Sequence, residues 1–129
     1  DHETREFKAM LKNANLIYTL ARCLLLVDKM YSSRFWCQFE AWLSMQTLCV
    51  DGLKQSSKAE RRFTAVRLHS LNEKALEGLI EQWQSWSTPE KAIHDLRADD
   101  CHVTNKSDKD EQLQKLQELC DGWARRAKT

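Results

Sequence analysis

The chain has 129 residues, which suits a single domain, and its 42% hydrophobic and 30% charged residues are typical of a folded rather than a disordered protein. Twenty basic against nineteen acidic residues leave a formal net charge of +1, so bulk charge does not indicate a nucleic-acid partner. The longest apolar run, Cys23–Val27, is far too short to span a bilayer, although peripheral attachment to a membrane complex stays open.

The first elements are predicted from the spacing of apolar residues. A helix is expected over residues 3–15, with the stripe Phe7, Met10, Leu11 and Ala14. The apolar run Cys23–Val27 predicts a strand buried on both faces, as in parallel sheets. Residues 16–20 suit either a strand or the tail of the first helix.

A second helix is predicted over residues 34–50, with Ser32 or Ser33 as its N-cap. The predicted apolar stripe of this helix consists of Phe35, Phe39, Trp42, Leu43, Cys49 and Val50. The pair Asp51-Gly52 is a typical helix stop, and a polar loop is expected after it.

The second half of the chain alternates in the same way. A strand is predicted over residues 63–68, helices over 71–86 and 87–98, a short extended segment over 101–105, and a last helix over 107–127. The stripe of the last helix is expected to be Leu113, Leu116, Leu119 or Cys120, and Trp123. This order predicts one α/β domain over residues 1–129, with a three-stranded parallel sheet flanked by helices.

The stretch LARCLLLVDKMYSSRFWCQFEAW, residues 20–42, resembles the central segment of Toll/interleukin-1 receptor-like (TIR) domains. In that family a buried strand leads through a loop with Tyr and Ser to a helix that begins Trp-Cys-x-x-Glu. The matching residues here are Tyr31, Ser33, Trp36, Cys37 and Glu40. The sequence of this stretch is even more similar to TIR-like proteins of algae and other protists.

The resemblance implies the second half of a TIR, or flavodoxin-like, fold. TIR domains begin with a strand, a nucleotide-facing loop, a helix and a second strand, and this chain is expected to lack these elements. The edge of the Cys23–Val27 strand would then be open, and an open apolar edge is a pairing site. We therefore expect another protein subunit, or an upstream part of the same polypeptide, to cover it.

The resemblance also implies a possible chemistry for Glu40. Enzymatic TIR domains cleave the nicotinamide–ribose bond of NAD, and the glutamate of their Trp-Cys-x-x-Glu motif is essential. A carboxylate can stabilise the oxocarbenium-like ribose that forms when nicotinamide departs. Asp28, Tyr31, Ser33 and Trp36 are then the expected cofactor-binding residues, beyond the carboxyl end of the Cys23–Val27 strand.

Two functions are therefore open. The favoured one is a non-catalytic interaction or structural subunit of a larger assembly, with no cofactor, with partners over the strand edge and exposed aromatic residues, and without a nucleic-acid partner. The alternative is an NAD-cleaving hydrolase that uses Glu40. The five cysteines have no metal-site or disulfide spacing, so no metal is expected and a reducing intracellular compartment is favoured. The algal resemblance makes a plastid, after removal of a transit peptide, a candidate location.

Overall fold

The computed structural model of the chain describes residues 1–69 and 71–128, and within them the side chains of all but residues 11–13, 123, 126 and 127. The predicted places of Leu11 and Trp123 in apolar stripes therefore lie outside the described residues. The described chain combines helices with a small parallel sheet, which confirms the predicted α/β class.

Five α-helices and four strands of the described chain enclose a small core. The helices are α1 (His2–Asn13), α2 (Phe35–Ser44), α3 (Glu73–Ser85), α4 (Pro89–Leu96) and α5 (Lys106–Ala127), and the strands are β1 (Cys23–Val27), β2 (Gln46–Cys49), β3 (Gly52–Gln55) and β4 (Phe63–Arg67). Short 3₁₀ helices cover Ala14–Thr19, Tyr31–Ser33 and Lys58–Glu60.

The parallel sheet is smaller than predicted. Strands β1 and β4 pair in parallel, with Leu25 opposite Ala65. The third predicted strand, at residues 101–105, contributes only an isolated bridge between Arg34 and His102. Within the described residues the prediction of a three-stranded parallel sheet is therefore wrong. The candidate segment is short and is followed by polar residues, so it has too few apolar side chains to form a central strand.

The helix predicted over residues 34–50 is also wrong in its second half, because α2 ends at Ser44 and an antiparallel hairpin, β2–β3, follows. Cys49 pairs with Gly52 across a two-residue turn, and Gly52 has φ 134°, a conformation that favours glycine. The residues read as a helix stop thus form a hairpin turn. The amide of Ser56 closes the hairpin base by donating to the carbonyl of Met45, at 2.9 Å.

The predicted serine cap of α2 is absent. Arg34 occupies the N-cap position and makes no side-chain capping bond. Ser33 instead donates its hydroxyl to the carbonyl of Met30, at 2.8 Å. The amide of Phe35 donates to the carbonyl of His102, at 2.8 Å. A backbone carbonyl thus accepts the hydrogen bond that a capping side chain would otherwise accept at the start of α2.

The core surrounds α2, which packs against the 3₁₀ helix Ala14–Thr19, α3 and α4. Its largest fully buried side chains are Trp42, Trp83, Phe35, Leu96, Leu113 and Val27. Two buried indole groups donate hydrogen bonds within the core. Trp42 Nε1 donates to the carbonyl of Trp86 at 3.0 Å, and Trp83 Nε1 donates to Gln38 Oε1 at 3.1 Å. These bonds fix the orientation of α2, which carries Glu40.

The amino-terminal elements are not buried as predicted. Strand β1 buries Leu25 and Val27 but leaves Leu24 63% and Leu26 50% exposed, so it is covered on one face only. The apolar stripe of α1 is likewise open, with Met10 71% exposed. The spacing of these apolar residues does place them on one face of each element. No described element, however, packs over that face.

Candidate functional site along strand β1

A pocket of about 410 Å³ lies along β1 and brings together residues from several elements. Its walls are formed by Ile17, Tyr18, Ala21, Arg22, Cys23, Leu24, Leu25, Tyr31 and Glu40. The pocket runs beside the first half of the strand, whereas the sequence predicted a site beyond its carboxyl end. Glu40 and Tyr31 are the predicted site residues that line it.

The backbone of β1 offers unpaired hydrogen-bonding groups on the side away from β4. At the two ends of the parallel ladder, Cys23 N–H donates to the Arg62 carbonyl at 2.8 Å, and Leu68 N–H donates to the Val27 carbonyl at 2.9 Å. Since alternate residues of a strand direct their N–H and C=O groups to opposite edges, those of Leu24 and Leu26 point away from β4. No other strand in the described part of the chain pairs with that edge.

Glu40 lies on α2, one turn after Trp36, and is half-buried. Burial raises the pKa of the Glu40 carboxyl above its ordinary value, because a charged carboxylate loses hydration in the pocket wall. A hydrogen bond with the Tyr18 side chain lowers the pKa and partly offsets this effect. The carboxyl group is therefore partly desolvated and held by one phenol, which is a typical environment of a functional carboxyl but also of a structural one.

Tyr18, in the 3₁₀ helix Ala14–Thr19, is a site residue that the sequence did not reveal. Burial raises the pKa of the Tyr18 hydroxyl, and the nearby Glu40 raises it further. Burial also raises the pKa of Tyr31, whose ring packs at 5.5 Å from that of Trp83. Both phenols are consequently protonated at neutral pH and can act as hydrogen-bond donors in the pocket.

The cysteines near the pocket are poor nucleophiles. Burial raises the pKa of Cys23, although Arg62 lowers it in part, and burial likewise raises the pKa of Cys37. Since the thiolate is the reactive form, both thiols are weaker nucleophiles at neutral pH than an exposed cysteine. The pocket therefore offers a carboxyl group and two phenols rather than a thiolate.

Three predicted cofactor-binding residues do not line this pocket. Asp28 accepts a hydrogen bond from the amide of Met30 at 3.0 Å and so fixes the turn after β1. Ser33 bonds locally to the carbonyl of Met30, and Trp36 packs edge-on against Phe35 with ring centroids 5.5 Å apart. Their present contacts are local and structural, and their roles in binding NAD stay predictions.

Exposed large apolar side chains are concentrated in the amino-terminal part of the chain, and a further one, Val66, lies opposite Leu26 on β4. We call this set the amino-terminal apolar surface: Phe7, Met10, Leu16, Ile17, Leu20, Leu24, Leu26, Met30 and Val66. Trp42, Trp83 and Trp86 are core residues, so they do not belong to the exposed aromatic residues expected to contact a partner. The surface is aliphatic apart from Phe7, and it is continuous in sequence with the pocket-lining residues 17–25.

None of the helices in the described residues is both long and apolar enough to cross a membrane. The same residues contain no cluster of three or more His, Cys, Asp or Glu side chains arranged to hold a metal ion. No protein-family model matches the chain, and neither a curated protein nor a solved structure matches it. The resemblance to TIR domains accordingly rests on the sequence of residues 20–42.

Proposed function

We propose that the chain is a non-catalytic interaction or structural subunit of a larger protein assembly, built on a TIR-like domain. The observation that carries this proposal is the open edge of β1, where the backbone groups of Leu24 and Leu26 have no strand partner in the described chain. An unpaired apolar edge is a template for another strand. The partner we propose is an extended segment of another subunit that adds to β1.

The amino-terminal apolar surface supports the same function. Leu24, Leu26 and Val66 form an exposed apolar patch on the outer face of the β1–β4 sheet, since Leu26 lies opposite Val66. Contiguous exposed apolar surface in a folded domain indicates a contact with another macromolecule or with a further part of the polypeptide. An added strand would bring its own side chains beside these residues and extend the patch into a buried interface.

Substitution at Leu24 tests the edge directly. Leu24→Pro removes an N–H that points away from β4, so the β1–β4 ladder keeps its hydrogen bonds, and proline is tolerated at such edge positions. Leu24→Ala is the matched control, because it removes the side chain but retains the outward N–H. We expect the intact mass of the native assembly to show loss of the partner with Leu24→Pro and its retention with Leu24→Ala.

Hydrogen exchange gives a second readout for the same edge. The amides of Leu24 and Leu26 are expected to exchange quickly in the free chain and slowly in the assembly, because a paired strand accepts their hydrogen bonds. An assembly in which both amides stay in fast exchange, with equal partner retention in the two Leu24 variants, would remove the β1 edge as the contact. A mass larger than that of the chain alone, without a partner, would indicate coverage by further polypeptide.

The alternative function is an NAD-cleaving hydrolase, and it is favoured by one observation: Glu40, Tyr31 and Tyr18 meet in one pocket, with a raised pKa at Glu40. The ribose hydroxyls of a nucleotide would be held by such groups, and the ionised carboxylate would stabilise the positive charge that develops on the sugar. This function predicts nicotinamide release that is lost in Glu40→Gln and retained in Glu118→Gln, an exposed glutamate of α5. Nicotinamide production equal to that of buffer would exclude activity of the chain alone.

A further inference from the structure

A second cavity, unrelated to the β1 pocket in its chemistry, lies between the 3₁₀ helix Ala14–Thr19, α2, the β2–β3 hairpin and α5. Its volume is about 210 Å³. Buried Phe39, Leu43 and Leu116 form its inner wall, and partly exposed Leu48 and Leu119 stand at its mouth. We call this space the leucine cavity.

The polar side chains around the leucine cavity already have protein partners. Thr19 donates its hydroxyl to the carbonyl of Leu16 at 2.7 Å, and Asn15 Nδ2 donates to Gln112 Oε1. Lys115 Nζ lies 3.2 Å from a carboxylate oxygen of Glu111. A ligand of this cavity would therefore meet mainly hydrocarbon walls, and a charged or strongly polar ligand would lose hydration without compensation.

The size of the leucine cavity limits its occupant. A cavity of about 150 Å³ lined by Leu, Ile and Phe remains dry and binds benzene in another protein. Drug-sized ligands and peptide segments need pockets of roughly 300 Å³ or more. We propose that the leucine cavity binds a small neutral apolar molecule with the dimensions of one or two aromatic rings.

Naphthalene is a suitable probe, because its ring current shifts the NMR signals of nearby methyl groups. Titration of the full chain, labelled at leucine methyls, is expected to give saturable shifts at Leu43 and Leu116. The methyls of Leu24 and Leu26 report non-specific binding to the amino-terminal apolar surface. Saturable shifts confined to Leu24 and Leu26, or none at all up to the solubility limit, would overturn the proposal.

Two substitutions reduce the cavity from different sides. Leu53→Trp extends an indole from the half-buried face of β3, and Leu48→Trp does so from the mouth. Because an indole in the cavity leaves naphthalene less apolar wall to contact, we expect the dissociation constant of naphthalene to rise by about tenfold or more in each variant. Leu26→Trp is the matched control, an exposed strand residue outside the cavity, and it should bind as the wild type does. Unchanged affinity in a folded Leu53→Trp or Leu48→Trp protein would contradict the assignment, and the wild-type methyl shifts decide the question if neither variant folds.

Discussion

The core around α2 and the amino-terminal region contain similar apolar side chains but bury them very differently. Trp42 and Phe35 in α2 are 0% exposed, whereas Phe7 in α1 is 60% and Leu24 in β1 is 63% exposed. The amphipathic pattern is clear in both regions. Apolar periodicity therefore identifies the apolar face of a helix or strand. It does not predict whether other parts of the same chain bury that face.

Polar groups follow the same division. In the core, the indole N–H of Trp42 and the ammonium of Lys109 bond to backbone carbonyls, the latter at 2.8 and 2.7 Å from those of Ala98 and Cys101. Trp86 Nε1 is the buried side-chain polar atom without a partner among the described residues. At β1, by contrast, no strand in the described part of the chain pairs with the outward backbone groups of Leu24 and Leu26. Buried polar groups of the core are therefore mostly satisfied, whereas the described amino-terminal region leaves a strand edge without a partner strand.

The largest expected effect tests this division with matched aromatic truncations. Trp42→Ala should lower the free energy of unfolding by about 3–5 kcal/mol, because it leaves a cavity in the centre of the core. Phe7→Ala should change it by less than about 0.5 kcal/mol, since the Phe7 ring is mostly exposed. Urea denaturation of the free chain, followed by circular dichroism, measures both values. Similar losses in the two variants would show that α1 packs on the core after all.

A smaller effect is expected at Arg62, which joins the two regions. Its guanidinium donates to the carbonyls of Tyr18 and Ala21, both at 2.8 Å, and also to that of Gln46. Arg62→Met should cost about 2–3 kcal/mol, because it leaves partly buried carbonyls without a charged donor. Amide exchange should become faster in residues 14–21, since the 3₁₀ helix Ala14–Thr19 loses its anchor to the core.

Arg61→Met is the matched control for Arg62. Arg61 is exposed, and its guanidinium lies 4.1 Å from the ring centroid of Phe63, a contact of about 0.5–1 kcal/mol at exposed sites. Exchange in residues 14–21 should not change in this variant. Equal effects of the two substitutions on exchange would mean that general charge, rather than the bonds of Arg62, holds the segment.

The extent of successful prediction differs between the two regions for a physical reason. Helices α4 and α5 were predicted because their signals are local; Thr88 caps α4, with Pro89 in its first turn. The hairpin β2–β3 was missed, because an apolar run that follows a helix can either extend the helix or form a strand that pairs with a later segment. The choice depends on the tertiary context of the turn at Gly52, which the local sequence does not contain. The uncovered face of β1 was missed, since a run of leucines is the same whether one face or two are buried.

The candidate site was predictable to a similar degree. Glu40 and Tyr31 were named from a short motif, and the fold brings them to one pocket. Tyr18 could not be named, because its place beside Glu40 depends on how the 3₁₀ helix Ala14–Thr19 folds back along β1. Asp28 was named for its position at a strand end, where its carboxylate accepts a hydrogen bond from the amide of Met30, and its role in binding stays a prediction.

The smallest expected effect concerns the pH dependence of stability at Glu40, where the core and the amino-terminal region meet. Its pKa is raised in the folded chain, so the folded state binds more protons than the unfolded state between the ordinary value of 4.5 and the raised one. Stability linked to Glu40 is complete below that window and is lost as pH rises through the folded pKa. Glu40→Gln should therefore gain stability relative to wild type above the window and show no such gain at pH 4 or below.

Tyr18→Phe sharpens this last test, because it removes the bond that lowers the pKa of Glu40 while retaining most of the ring's packing. The pKa of Glu40, measured by carboxyl NMR, should rise further in Tyr18→Phe, and the pH-dependent loss of stability should extend to higher pH. In the double variant with Glu40→Gln, removal of the phenol should no longer affect the pH profile. An unchanged Glu40 pKa in Tyr18→Phe would mean that Tyr18 does not hold the carboxyl group, and the pocket would lose this link between the 3₁₀ helix Ala14–Thr19 and α2.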